Sequence, residues 1–251
     1  MRKPLTVVIG YDPREEAAYD VCRASLERHS SIPLHIVKLE LKTLQKIGLY
    51  TRGFRKYGSQ MIDEVDGRPF STEFAFSRFL VPALSLYEGW AIFCDCDFLF
   101  TRDIAELLPL LDDRFAVMAV KHKYIPAEAV KMDGVSQGIY PRKNWSSFIA
   151  WNCSHPDNHF LSIRTVNIES GKWLHGFGWL PDEKIGALPQ TWNWLSGVSE
   201  PLPDGEVPAA IHFTLGGPWF ENCQDFPFSD LWKNEQRLLD QSRNSALEKR
   251  A

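Results

Sequence analysis

Apolar and polar positions along this chain follow two periods. Residues 5–9, Leu-Thr-Val-Val-Ile, form a short, nearly continuous apolar run, the pattern of a strand buried on both faces. Gly10-Tyr11-Asp12-Pro13 follows and marks a tight loop at its carboxyl end. Over residues 15–29, Ala18, Val21 and Leu26 recur on one side of a helix. Residues 34–41 alternate around His35-Ile36-Val37 and predict a second strand. Strand, helix and strand in that order imply a parallel pair joined by a right-handed crossover.

Beyond this unit the pattern loosens. Residues 42–70 are mixed and partly basic, with Arg52, Arg55 and Lys56, and read as a long loop or small subdomain. Ser71 is placed to cap a helix reaching to about residue 87, with Glu73 in its first turn and Pro82 as a kink. Strands are expected over 92–100, 115–120, 145–152 and 209–213, a helix over 103–111, and a strand or loop over 188–194. A short helix opens near Trp179-Leu180-Pro181-Asp182-Glu183, and the charged tail after Ser229 is helical. No repeat, low-complexity block or linker interrupts the chain. The expected architecture is α/β: one domain over 1–225 with an open, mostly parallel sheet flanked by helices, and a helical tail over 226–251.

Composition narrows the function classes. A net charge of −4 on 251 residues argues against nucleic-acid binding. Five cysteines without paired spacing suggest neither a zinc site nor a disulfide framework. The first apolar run is too short for a signal-peptide core and no stretch is long enough to span a bilayer, so the cytoplasm is the expected location. Leu231, Trp232, Leu238 and Leu239 in the tail leave a peripheral membrane contact open, although the mixed charges around them favour packing on the core. Nine tryptophans, most of them late in the chain, read either as faces for sugar rings or as packing.

The chemistry concentrates in Ile92-Phe93-Cys94-Asp95-Cys96-Asp97-Phe98-Leu99-Phe100. Side chains two apart in a strand share a face, so Asp95 and Asp97 point one way and Cys96 the other. Two carboxylates in an apolar run need a cationic partner, and a divalent metal holding an anionic ligand meets that need. In open α/β sheets ligands gather at the carboxyl ends of strands. Three polar clusters fall at such ends: Tyr11-Asp12, Asp95-Cys96-Asp97 and His212. Tyr11 offers a ring to stack on a base and Asp12 an acceptor for a base N–H, or both serve a turn. Arg78 offers bidentate pairing with phosphate, or an ordinary ion pair.

Together these motifs resemble nucleotide-sugar glycosyltransferases of the GT-A type, and family 8 above all. The resemblance runs motif by motif from residue 5 to about 220. It carries Gly10-Tyr11-Asp12 as the base-binding strand end, Arg78 as the Arg preceding the Asp-x-Asp, and Asp95 and Asp97 as ligands of manganese and diphosphate. Asp182, ahead of Leu188-Pro189-Gln190-Thr191-Trp192-Asn193, matches an Asp beside the reacting sugar. His212-Phe213, before Pro218-Trp219, matches the third metal ligand. The resemblance implies a Rossmann-like GT-A sheet, Mn²⁺ or Mg²⁺, a nucleoside-diphosphate sugar (a UDP-hexose) as donor, a glycan or glycolipid acceptor, and retention of anomeric configuration. The implied catalytic residues are Asp182, Asp97 and Arg78.

Three positions depart from the family. The late turn reads Leu215-Gly216-Gly217-Pro218 without a diphosphate-binding Lys, leaving the Gly216 and Gly217 amides or the 52–56 loop as substitutes. Trp145-Ser146-Ser147-Phe148 replaces an Asn-Ala-Gly strand, and Lys121-His122-Lys123 stands where an Asp is expected. A dehalogenase-type phosphatase would need Thr or Val where Leu99 stands. A sugar-nucleotide pyrophosphorylase would need a Gly-rich basic loop after the first strand. A catalytically degenerate GT-A protein, binding nucleotide-sugar or glycan without turnover, stays open as the alternative.

Overall fold

The computed structural model describes residues 3–123, 142 and 144–248. The chain enters through β1 (Leu5–Tyr11), runs back along α1 (Glu16–His29) and returns in β2 (Leu34–Glu40). β2 lies parallel to β1, from Leu34 opposite Leu5 to Glu40 opposite Tyr11, so the expected crossover unit is present. Next come α2 (Leu41–Lys46), β3 (Phe54–Tyr57), β4 (Gln60–Asp63), β5 (Pro69–Phe70), α3 (Val81–Leu84), β6 (Trp90–Cys94), β7 (Phe98–Phe100) and β8 (Val117–Ala119). The chain continues through β9 (Phe148–Asn152), α4 (Ile163–Ile168), α5 (Gly171–His175), β10 (Ile185–Ala187), β11 (Trp194–Leu195), β12 (Ala210–His212) and α6 (Ser229–Glu248).

The main sheet has the order β10-β8-β9-β6-β1-β2. Only β9 runs against its neighbours, β6 and β8; the remaining pairs are parallel. Val7, Ile9, Ile92, Phe93, Ile149 and Trp151 fill its two faces and are buried, which explains why these strands read as apolar runs rather than alternations. A second sheet, β11-β12-β7, lies beside the first, so the chain changes sheets between β6 and β7.

Of the two readings of residues 42–70 the structure takes the subdomain, while the segments after Ser71 and at Trp145 differ from the sequence expectation. Residues 42–70 hold α2 and a small antiparallel sheet, β3-β4-β5. Its anchor is Arg52, buried against Asp63 at 2.7 Å and donating to the Val166 carbonyl at 3.2 Å. Arg55 and Lys56 stay on its exposed side, paired with Glu64 and Glu73. Ser71 starts no long helix. The Glu73 N–H is taken by Asp12 Oδ2 at 3.0 Å, and Pro82 has no N–H to continue a helix. What remains is a 3₁₀ turn, Ser77–Leu80, and the single turn of α3, closed by Leu86 and Tyr87 at positive φ. Trp145 does not begin β9: Asn144 adopts φ 63° and Trp145–Ser147 form a 3₁₀ turn before the strand.

The tail packs on the domain. Trp232 of α6 is buried with Val21, Leu99, Ile211 and Phe213, and Glu235 pairs with Arg28 of α1 at 2.9 Å. Trp151, Trp192, Trp194 and Trp232 are core residues, which favours the packing reading of the tryptophans. The five cysteines are free and buried. Among the described residues no helix is long and apolar enough to cross a membrane.

Candidate metal and donor site

The turn Asp95–Asp97 is pinned at both ends. Its first amide, from Asp95, donates to the Ser147 carbonyl at 2.9 Å, and its last carbonyl, from Asp97, accepts from the Phe213 N–H at 3.0 Å. Antiparallel pairing of β12 with β7 sets His212 opposite Phe98. The two rings stack, with centres 4.5 Å apart and planes 16° from parallel. One ligand atom each from Asp95, Asp97 and His212 then lies within 4.8 Å of the others. The shared face expected from an i, i+2 spacing is therefore kept, although β6 ends at Cys94 and the two Asp side chains leave from a turn.

Arg78 is buried beside them. Its Nη1 is 2.7 Å from Asp95 Oδ1 and donates to the Ser146 carbonyl at 2.8 Å, while Nε donates to Ala75 at 3.0 Å. His212 Nε2 stands 3.3 Å from Asp97 Oδ2. Two carboxylates and an imidazole thus share one small space, with Arg78 set against Asp95. Carboxylate oxygens with one imidazole nitrogen suit Mn²⁺ or Mg²⁺. The residues present fit such an ion.

The β1 end is arranged differently. Asp12 is 0 % exposed. Its Oδ1 accepts from Arg14 N and Nε, both at 3.0 Å, and its Oδ2 from Arg14 Nη2 at 2.7 Å and Glu73 N at 3.0 Å. Burial alone would raise its carboxyl pKa, but these hydrogen bonds and the Arg14 charge outweigh it and hold the group below the usual range. Tyr11 is buried with Lys38 Nζ 3.4 Å above its ring and Tyr19 packed edge-on. Gly10 is required because a Cβ there would lie 2.5 Å from the Phe74 ring. In this conformation the face of Tyr11 under Lys38 and both carboxylate oxygens of Asp12 are engaged within the chain.

Gly216, at φ 113°, lines a cavity of about 260 Å³ together with Asp97, Glu15, Thr214, Phe220 and Cys223. A Cβ on Gly217 would overlap Trp219, at 2.0 Å from its ring. Asp182 stands apart from the Asp95–Asp97–His212 group, exposed at the head of the 3₁₀ turn before β10 and paired with Arg142. Arg142 and Lys121 flank the Trp145 ring at 5.8 and 5.6 Å.

Other residues carry no role in the sequence reading yet shape the site. Asn193 Oδ1 lies 2.9 Å from His212 Nδ1. Its only sequence signal is its place in the Leu-Pro-x-x-Trp-Asn segment. Ser147 and Asn144 hold Asn193 in turn. His122, in the stretch that replaces an expected Asp, has a buried Nε2 without a hydrogen-bond partner among the described residues. Burial, and then proximity to His212, push its pKa down to about 4.

No family model matches the chain. It is 49 % identical over 237 residues to Protein CDI of Arabidopsis thaliana, covering 93 % of this chain and 86 % of the relative. Among solved structures it superposes on the bifunctional glycosyltransferase WbbM with a TM-score of 0.61 at 16 % identity, over 94 % of this chain and 50 % of that one. Glycosyltransferase GlyE of Streptococcus pneumoniae gives 0.57 at 15 % identity, over 97 % of this chain and 64 % of GlyE. The chain therefore spans half of WbbM and under two thirds of GlyE. Galactosyltransferase LgtC, solved with donor and acceptor sugar analogues, gives 0.56 at 11 % identity, over 92 % of this chain and 95 % of LgtC. With a six-stranded, mostly parallel sheet in common with these enzymes, the chain has the GT-A fold, and by its sequence it belongs to the family of Protein CDI.

Proposed function

We propose that the protein is a metal-dependent glycosyltransferase that moves a hexose from a UDP-sugar to a glycan or glycolipid acceptor with retention of configuration. The observation that carries this reading is the convergence of Asp95, Asp97 and His212 at the carboxyl end of β6 in a GT-A fold. Asp95, Asp97 and His212 would hold Mn²⁺ or Mg²⁺. When bound, the ion supplies Lewis-acid stabilisation of charge on the departing diphosphate.

The chain's own groups do the rest. Arg78 balances Asp95 and is itself held by the Ser146 carbonyl. The cavity beside Asp97 and Gly216 offers room next to the metal group for part of the nucleotide. The Gly216 N–H already donates to the Phe213 carbonyl at 2.9 Å, so of the two glycines the Gly217 amide is assigned to stand in for the missing Lys. A base reaching the β1 end requires Arg14 to leave Asp12, since that guanidinium now occupies the carboxylate. Asp182 is assigned to the sugar side, where its pairing with Arg142 sets its direction. The acceptor proton is assigned to the leaving phosphate.

A thermal-shift panel of UDP, GDP and CDP and their sugar conjugates, each with and without Mn²⁺, tests the reading. Stabilisation by UDP or a UDP-sugar only with metal is the expected result, followed by slow donor hydrolysis. Metal-dependent binding without hydrolysis or transfer would favour the degenerate transferase. No shift with any pair would overturn the nucleotide-sugar reading.

A further inference from the structure

The polar groups behind His212 form a chain whose direction is forced at every link. The Ser147 hydroxyl donates its one hydrogen to the Asn144 carbonyl at 2.7 Å. Its lone pairs are then all it can offer Asn193, whose amide nitrogen is 2.9 Å away. The same nitrogen lies 3.2 Å from the Asn144 carbonyl, which can only accept. Both contacts require the NH₂ end of Asn193 on that side. The oxygen end therefore faces His212 Nδ1 at 2.9 Å, and an oxygen acceptor there requires that Nδ1 carry the hydrogen. In the neutral ring this leaves Nε2 as a lone pair, and Nε2 is the atom 3.3 Å from Asp97 Oδ2. Asn193 is 0 % exposed, so water does not compete for these links. Phe98, stacked on the ring, prevents its rotation.

We propose that Asn193, locked by Ser147 and the Asn144 carbonyl, is a positioning residue that holds His212 in the Nδ1–H tautomer and presents Nε2 beside Asp97 as a ready ligand for a divalent cation. The proposal rests on the metal-site reading above and adds to it that the site is organised before any nucleotide arrives. An outer partner that fixes a ligand's tautomer commonly changes metal affinity by about 10- to 100-fold. The strained backbone of Asn144, at φ 63°, is then explained by its carbonyl, which receives two of these hydrogen bonds.

The test has two readouts, neither of them turnover. Long-range proton–nitrogen NMR of the wild-type chain without metal reports the His212 tautomer directly. The Nδ1–H form is expected, and the Nε2–H form overturns the proposal whether or not metal binds. Mn²⁺ titration without nucleotide, followed by the EPR signal of the free ion, then compares wild type with Asn193→Leu. Affinity at least about tenfold weaker, with the tautomers now mixed, is expected. Unchanged affinity in a variant that keeps the wild-type circular dichroism overturns the proposal. If Asn193→Leu does not fold, the wild-type tautomer decides. If the wild type binds no Mn²⁺ at all, the metal-dependent function fails while the tautomer still judges this inference.

Discussion

Asp12 and the Asp95–Asp97 pair sit at the ends of neighbouring parallel strands, β1 and β6, and their surroundings are opposite. Around Asp12 the chain supplies four donors to one buried carboxylate, and the charge is answered by Arg14. Around Asp97 it gathers a second carboxylate, Asp95, which Arg78 meets at 2.7 Å, and the His212 ring with Nε2 at 3.3 Å. A buried carboxylate surrounded by its own donors fastens structure, because its desolvation is already offset. Two carboxylates and an imidazole gathered this closely form a ligand set that a divalent cation would join. The same residue type at equivalent places in the sheet is thus a clamp in one case and a socket in the other.

The sharpest way to break this comparison is at the socket. Asp97→Ala is expected to lower turnover on the order of a thousandfold, several kcal/mol of transition-state stabilisation, with little change in urea midpoint. Retained turnover would remove Asp97 from the chemistry. Next in size is the linkage of metal to stability. Mn²⁺ at a hundred times its dissociation constant should stabilise the wild type by about 2.7 kcal/mol and leave Asp97→Ala unmoved; calorimetry with and without chelator reads both.

At the clamp the expectation reverses. Asp12→Ala should cost about 2 kcal/mol in urea denaturation, since it takes the acceptor from the part-buried Glu73 N–H and removes the Arg14 pair. Because the folded pKa of Asp12 is lowered, its contribution is present above the usual carboxylate range and is lost as pH falls through the folded value.

The smallest effect tests the margin between them. His122 is held neutral down to about 4, while an unfolded histidine takes its proton near 6.5. Its contribution is therefore complete above that value and is lost progressively as pH falls towards 4. A stability–pH profile of His122→Gln should be flatter over this window than that of the wild type.

What was legible in the sequence had a local cause. Apolar runs gave β1, β6 and β9, and the strand–helix–strand order gave the parallel pairing of β1 and β2; Asp95 and Asp97 were legible as a pair by their spacing, although they leave from a turn rather than a strand. Where the cause was distant, the sequence was silent. Ser71 looks like a helix cap until Asp12 takes the Glu73 amide. Arg52 looks like loop charge until Asp63 and the Val166 carbonyl enclose it. Arg78 was readable as a phosphate partner, but its contact in this structure is Asp95. Asn193 stood inside a noted motif, yet its role depends on Ser147, Asn144 and His212 meeting in space. Tyr11 has its ring covered by Lys38, a neighbour supplied by the adjacent strand.

The exchange of sheets between β6 and β7 has a consequence for folding. Asp95 closes a strand of the first sheet, while Asp97 and His212 belong with the second, and Asp97 and His212 come from distant parts of the chain. The socket therefore exists only after the two sheets have docked, a late event for such non-local pairing. An ion seated there would act as a rivet across the seam, slowing the sheets' separation more than it speeds their meeting.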